Sequence, residues 1–243
     1  MSTFVALNVT TWVAGYDMTG DTNKTKLDAG HDPQDATTMT CVARVRRAGL
    51  RTVEGSVEGY WQAGTGSVDE AAITGLGGLQ VVTHTPTGTV GDVSYSYQAR
   101  ALKYEMFGAV GEMVPFALET HGARGNGTLS VGAVRGRVLA AKGNISATGV
   151  VGAAYELGAV GAGQHLYATV HTFAIGTSFT LVIESDADNT FASATTRMTV
   201  GSITAAGGTW GVRVAGPVTD TWWRARVTAA SGTSTIAVTA GIR

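Results

Sequence analysis

The chain has 243 residues, a formal net charge of −1, 34 Gly, 35 Thr, one Cys and 14% charged residues. This near-neutral balance excludes a generally basic nucleic-acid binder, and the single Cys excludes a disulfide scaffold and a Cys-built zinc site. With 44% apolar residues and so little charge it is not a disordered chain, and abundant Thr favours strands.

The first residues, MSTFVALNVTTW, carry no basic segment ahead of an apolar run, so no secretory leader is expected. An alternating pattern starts within residues 4–12. Residues 14–40 are polar and hold Asp17, Asp21, Asp28, Asp32 and Asp35 with Lys24 and Lys26. They show no clean strand pattern and read as a long loop. Loops beyond about 15 residues are uncommon in compact domains and usually functional or disordered. The spacing of these Asp does not fit a calcium loop.

Cys41 opens CVARVRR, an expected strand in which it is a small buried hydrophobe. Arg44, Arg46, Arg47 and Arg51 are the only basic cluster, and Glu54 and Glu58 nearby favour ion pairing over phosphate contact. Residues 51–61 alternate strictly. Val53, Gly55, Val57, Gly59 and Trp61 share one face; Thr52, Glu54, Ser56, Glu58 and Tyr60 share the other. Glu54 and Glu58 then lie about 13 Å apart, beyond the spacing of roughly 5–9.5 Å used in glycoside hydrolysis.

Ser67-Val-Asp-Glu70 has capping-box form. Ala71, Ala72, Ile73 and Leu76 follow, and Gly77-Gly78 closes one short helix. Residues 92–104 place Val93, Tyr95, Tyr97, Ala99 and Ala101 opposite Ser94, Ser96, Gln98 and Arg100. Residues 114–120 place Val114, Phe116 and Leu118 opposite Pro115, Ala117 and Glu119. Pro86-Thr-Gly88, Gly108, Gly111, Gly122 and Gly125-Asn-Gly127 supply turns.

Past residue 142 the chain becomes a Gly/Ala/Thr/Val segment. Strands are expected near 145–151, 164–174, 178–184, 196–203, 209–214, 221–229 and 234–242, as in a sandwich or jelly roll. Residues 1–142 and 143–243 therefore read as two domains. Leu157–Ile183 lacks charge, but its Gly, Gln164, His165, His171 and alternation fit strands rather than a membrane helix.

Chemistry-bearing motifs are absent. His165 and His171 share a strand face roughly 20 Å apart, too far to hold one ion. Glu184-Ser-Asp186-Ala-Asp188 lacks the Gly and distal Glu of a calcium loop. Gly158-Ala-Val-Gly161-Ala-Gly163 lacks the context of a dinucleotide site. No nucleophile elbow or phosphate loop occurs. No catalytic residue, metal or cofactor is expected. Trp222, Arg224 and Arg226 alternate with Trp223, Ala225 and Val227, which puts one Trp in the core and the other beside two Arg. Such a stripe suits an outer contact surface or Arg stems covering a Trp.

The order of elements resembles the major tail tube proteins of long, flexible-tailed bacteriophages. The resemblance rests on the N-terminal strand, the long polar stretch, RVRRAGLRTVEGSVEGYW, the capped helix SVDEAAITGL and the corner Phe107-Gly-Ala-Val-Gly-Glu112. ATGVVGAAYELGAVGAGQHLYATVHTF and TDTWWRARVT are similar to the β-sandwich appended in relatives from actinobacterial phages. The resemblance implies an all-β fold: a tail-tube-type sandwich or barrel domain with one short helix and a long N-terminal loop, plus a second, jelly-roll-like sandwich as outer decoration. It implies a virion protein made in the host cytoplasm, with no enzyme activity and no membrane partner. Its main partner would be itself, in six-membered rings stacked into a tube that passes DNA. Tape measure, tail terminator and tail tip proteins would be further partners. Asp17, Asp21, Lys24, Lys26, Asp28, Asp32 and Asp35 would belong to a ring-stacking loop. Thr52, Glu54, Ser56 and Glu58 would face the lumen, repelling phosphate. A carbohydrate-binding module presenting Trp222, Trp223, Arg224 and Arg226, and a capsid decoration protein, remain as alternatives.

Overall fold

The computed structural model describes residues 9–123 and 131–243. The first part of the 4–12 pattern and the Gly125-Asn-Gly127 turn lie outside the described residues. The elements are β1 (Thr10–Val13), β2 (Tyr16–Asp17), β3 (Thr22–Asp35), β4 (Arg46–Tyr60), α1 (Val68–Gly75), β5 (Leu79–Thr85), β6 (Val93–Met106), β7 (Pro115–Gly122) and β8 (Val134–Ile145). They continue with β9 (Gly149–Glu156), β10 (His165–Ala174), β11 (Ser178–Asp186), β12 (Thr195–Ile203), β13 (Gly207–Trp210), β14 (Val214–Ala215), β15 (Trp222–Ser231) and β16 (Ser234–Ile242). The expected class holds: the described residues are almost all β, antiparallel, with one short helix among them.

One sheet runs β13-β10-β16-β8-β6-β5-β1-β2, and β7, β4 and β3 extend it from the far half of β6. The second sheet runs β12-β11-β15-β9. β6 is the pivot. Along one edge its start pairs with β8 and its end with β7, while β5 covers the other edge. Residue 142 falls inside β8, which pairs with β6 on one side and β16 on the other. The apolar cores nevertheless segregate. One draws on residues between Val13 and Leu118; the other, between the two sheets, draws on residues between Leu139 and Ala240. Trp12, Val138 and Ala237 form a small third cluster. Lys142 ties the halves further through a 2.8 Å ion pair with Asp17.

At the junction the sheet curls until β10 returns to β5. His171 Nε2 lies 2.9 Å from Thr83 Oγ1. A buried hydroxyl chain continues from Thr83 to Ser96 (2.9 Å), Thr239 (2.9 Å) and Thr169 (2.6 Å). Burial makes each such bond matter, because an unmatched polar group there keeps its full desolvation cost. Ser96 is therefore buried, although alternation places it opposite the apolar side of its strand, and Ser94 is buried too. His84 sits in a parallel network, with Nδ1 3.1 Å from Thr11 Oγ1 and Nε2 3.1 Å from the Tyr97 hydroxyl.

The stretch 14–40 is not an irregular loop. It holds β2 and the fourteen-residue β3, which pairs with β4 from Thr22↔Gly59 to Asp35↔Arg46. The root of this β3–β4 ribbon rests on the body, with Val53, Gly55, Val57 and Gly59 buried. From about His31 outwards both strands are exposed on both faces. No apolar face appears in that sequence because neither side meets a core; the backbone ladder to β4 makes it a strand. Cys41 is likewise not a buried strand residue. It lies exposed in the tip, residues 36–45, because β4 starts only at Arg46.

Smaller differences follow from local bonding. Ser67 is the N-cap but makes no side-chain capping bond; Glu70 accepts from the Gly66 N–H instead. The strand expected at 145–151 is the β8–β9 turn and its flanks, and 209–214 divides into β13 and β14.

Candidate functional site

β3, β4, β7 and β6 present one continuous solvent face. Cross-strand partners place Lys24 opposite Glu58, Lys26 opposite Ser56, Asp28 opposite Glu54 and Gly30 opposite Thr52. On the other side of β4, Ala117, Glu119 and His121 face Glu58, Ser56 and Glu54. Lys103 on β6 reaches Glu105 at 2.9 Å and Glu119 at 3.5 Å. Lys24 meets Glu58 at 2.7 Å and Lys26 meets Asp28 at 3.6 Å. Thr52, Glu54, Ser56 and Glu58 are thus brought together with Lys24, Lys26 and Asp28. The face carries carboxylates at positions 28, 54, 58, 105 and 119 against Lys24, Lys26, Lys103 and Arg100, so it is weakly negative. Exposed pairs of this kind contribute little stability, and they leave the charges available to a partner.

Of the other four members of the predicted stacking set, Asp17 and Asp21 stay in the body. Asp17 takes Lys142 and both the hydroxyl and the N–H of Thr19. Burial pushes its carboxyl up, but these bonds prevail and hold it below its ordinary value. Asp21 accepts from the Tyr16 hydroxyl and from Gln62 Nε2, each at 2.8 Å. Asp32 and Asp35 lie on the projecting ribbon. Asp35 accepts from the Thr37 N–H at 2.9 Å and approaches Arg44 at 3.8 Å.

Two further features frame this face. Among the described residues β3 pairs only with β4, so its outer edge is open along its length. Natural proteins blunt such edges with charge and Pro, and β3 carries Lys24, Lys26, Asp28, Asp32 and Pro33. At the foot of the ribbon the β6–β7 turn, residues 107–114, leaves Phe107, Val110 and Met113 exposed. Phe107 has φ 73°, a left-handed conformation that is an outlier for a bulky residue. It leans on Trp61, with ring centroids 5.8 Å apart. Gly108 and Gly111 mark a turn here in the sequence, and the resemblance names the corner, but neither shows the conformation of Phe107. Its backbone conformation has no signature in a non-Gly residue.

The C-terminal stripe is largely occupied. Trp223 is fully buried and its indole N–H donates to the Gly158 carbonyl at 2.9 Å. Arg224 and Arg226 both bind the buried Glu184 at 2.8 and 3.3 Å, and Arg224 covers the Phe191 ring. Trp222 is half-buried. Asp186 and Asp188 accept nearby backbone N–H groups. No cluster of three or more metal-ligating side chains occurs among the described residues, and none of their helices is long and apolar enough to cross a membrane.

No protein-family model matches the chain, and no curated protein matches it. Solved structures are similar to it. A chain of the virion of a native gene transfer agent particle shares 15% identity over 51% of this chain and 96% of its own, with TM-score 0.39. The tail tube of SPP1 shares 12% identity over 55% of this chain and 78% of its own, with TM-score 0.42. The Dit protein of SPP1, a hub adsorption apparatus protein, shares 12% identity over 97% of this chain and 99% of its own, with TM-score 0.38. With every one of these scores below 0.5, the likeness is one of β architecture alone.

Proposed function

We propose that this chain is a structural subunit that assembles into stacked rings, forming a phage tail tube through which DNA passes. The observation that carries the proposal is the open edge of β3 beside a largely polar sheet face. The inner part of that edge, residues 22–30, can take another strand, while its charges and Pro33 restrain non-specific pairing, and a sheet continued from copy to copy closes into a barrel without edges. The face bearing Thr52, Glu54, Ser56 and Glu58 then lines the bore, where a weakly negative surface does not retain phosphate. Six copies per ring is what the family resemblance implies. The sandwich of β9, β11, β12 and β15 over β8, β10 and β16 lies outside the bore as decoration. A glycan platform loses support, because Trp223 is core and both Arg engage Glu184.

The projecting ribbon supplies the stacking contact. Gln34 and Arg47 face each other across it, so residues 35–46 can be replaced by Asn-Gly, which closes a two-residue hairpin. The shortened chain is expected to unfold at the same denaturant concentration as the full chain, because the removed residues touch no core. It is expected to form no tubes in electron micrographs under conditions where the full chain does. Normal tubes from the shortened chain would remove the stacking role. A full chain that stays monomeric at high concentration would remove the whole reading.

A further inference from the structure

We infer that the cleft at the foot of the ribbon is the receptor for the ribbon tip of another copy of this chain. The inference rests on the assembly reading above and names the partner surface for the tip. The cleft has a volume of about 660 Å³ and is walled by Tyr60, Tyr104, Met106 and Phe107, with Glu105 and Glu58, the member of the bore face nearest the β6–β7 turn and so at the rim of the bore, as its ionised side chains. The tip has the opposite character. Met39 and Val42 are fully exposed there, Leu50 is exposed further along β4, and Arg44, Arg46 and Arg47 fall in the same stretch, outnumbering Asp35, which lies near Arg44. Apolar groups can thus meet apolar walls while guanidinium groups meet carboxylates. Lys24 and Lys103 now occupy Glu58 and Glu105, but such exposed pairs exchange readily for planar, two-pronged Arg contacts.

Geometry excludes a contact within one molecule. Tip and cleft lie at opposite ends of β4, from Arg46 to Tyr60, a span of roughly 45 Å at about 3.3 Å per residue. The cleft of each molecule is therefore open to a different copy. Two different patches that recognise each other head to tail, without closing a ring along that direction, generate an open filament. The left-handed backbone at Phe107 adds a second indication. Strain of this kind persists where surrounding structure enforces it and clusters at functional sites, and here it holds an aromatic ring out at the cleft rim.

The sole cysteine offers a direct test. Cys41 lies exposed in the tip, and its hydrogen bonding with Thr38 lowers the thiol pKa, which favours the reactive thiolate. Ala117 lines the cleft and Thr228 lies exposed on β15. Full-length Ala117→Cys and Thr228→Cys chains are assembled and mildly oxidised, and linked peptides are identified by mass spectrometry. The expected result is a disulfide from Cys41 of one chain to the thiol introduced at position 117 of another. It should be at least tenfold more abundant than the link from Cys41 to the thiol introduced at position 228. Tubes that form but lack the link to position 117 overturn the cleft assignment and leave the tube reading standing. Absence of tubes from the unaltered chain overturns both. Charge reversal gives an independent readout. Arg46→Glu with Arg47→Glu, or Glu58→Arg with Glu105→Arg, is expected to raise the concentration needed for assembly more than tenfold. All four changes in one chain are expected to restore assembly; failure of that restoration, with the chain folded, counts against the pairing.

Discussion

Trp223→Ala is expected to destabilise the fold by about 3–5 kcal/mol. Trp223 is fully buried between the two sheets of the C-terminal half, on a strand flanked by β11 and β9. Truncation leaves a cavity and strips the Gly158 carbonyl of its indole donor. Against a total stability of about 5–15 kcal/mol, this is a large share. The melting temperature should fall by roughly 10 °C. Trp222→Ala, one residue away on the opposite face, should cost less than about 1 kcal/mol. Denaturant unfolding of the two variants side by side checks the assignment; equal losses would show that the faces of β15 are wrongly read.

Mild acid is expected to weaken the protein well before its carboxylates titrate. Burial drives His84 down to about 4 and His171 to about 3 from the usual 6.5. Asp17 offsets the second only partly. Both rings are therefore neutral in the folded chain. Below pH 6.5 the unfolded chain takes up protons that the folded chain refuses, so stability is fully present above 6.5 and falls as pH drops towards 4 and then 3. Each ring removes about 1.4 kcal/mol per pH unit once the unfolded form is protonated. Together they should remove on the order of 4 kcal/mol by pH 5. His171→Gln should remove about half of this pH dependence, whatever its own cost at pH 7. An unfolding free energy that stays flat from pH 7 to pH 5 would show that these rings are not buried and neutral.

The regions that the sequence made readable are those where one strand face meets a core. Val53, Gly55, Val57 and Gly59 alternate with Thr52, Glu54, Ser56 and Glu58 for that reason, and the strand at 222–231 follows the same rule, whereas those at 165–174 and 178–186 are buried on both faces and read as near-continuous apolar and Thr runs. β3 escaped because its outer half has water on both sides and its strand character comes from pairing with β4. A signal was nonetheless present: Lys24, Lys26 and Asp28 alternate with Thr25, Leu27 and Ala29, and Leu27 packs on the core. The join between the halves could not be read locally. The bond from Ser96 to Thr239 links residues 143 apart, and its members are small hydroxyls that in isolation look like solvent-facing positions. The cleft is equally non-local, since β4, β6 and β7 each supply part of its wall.

A column built by seating basic tips in acidic clefts has two unlike termini. One rim displays a crown of unsatisfied arginines and the other a row of vacant carboxylate-lined sockets, and neither rim carries a stop signal of its own. Growth would continue until something foreign to the chain plugs a socket or sheathes a crown. The two caps would have to be chemically opposite, one shaped like the ribbon tip and the other like the socket.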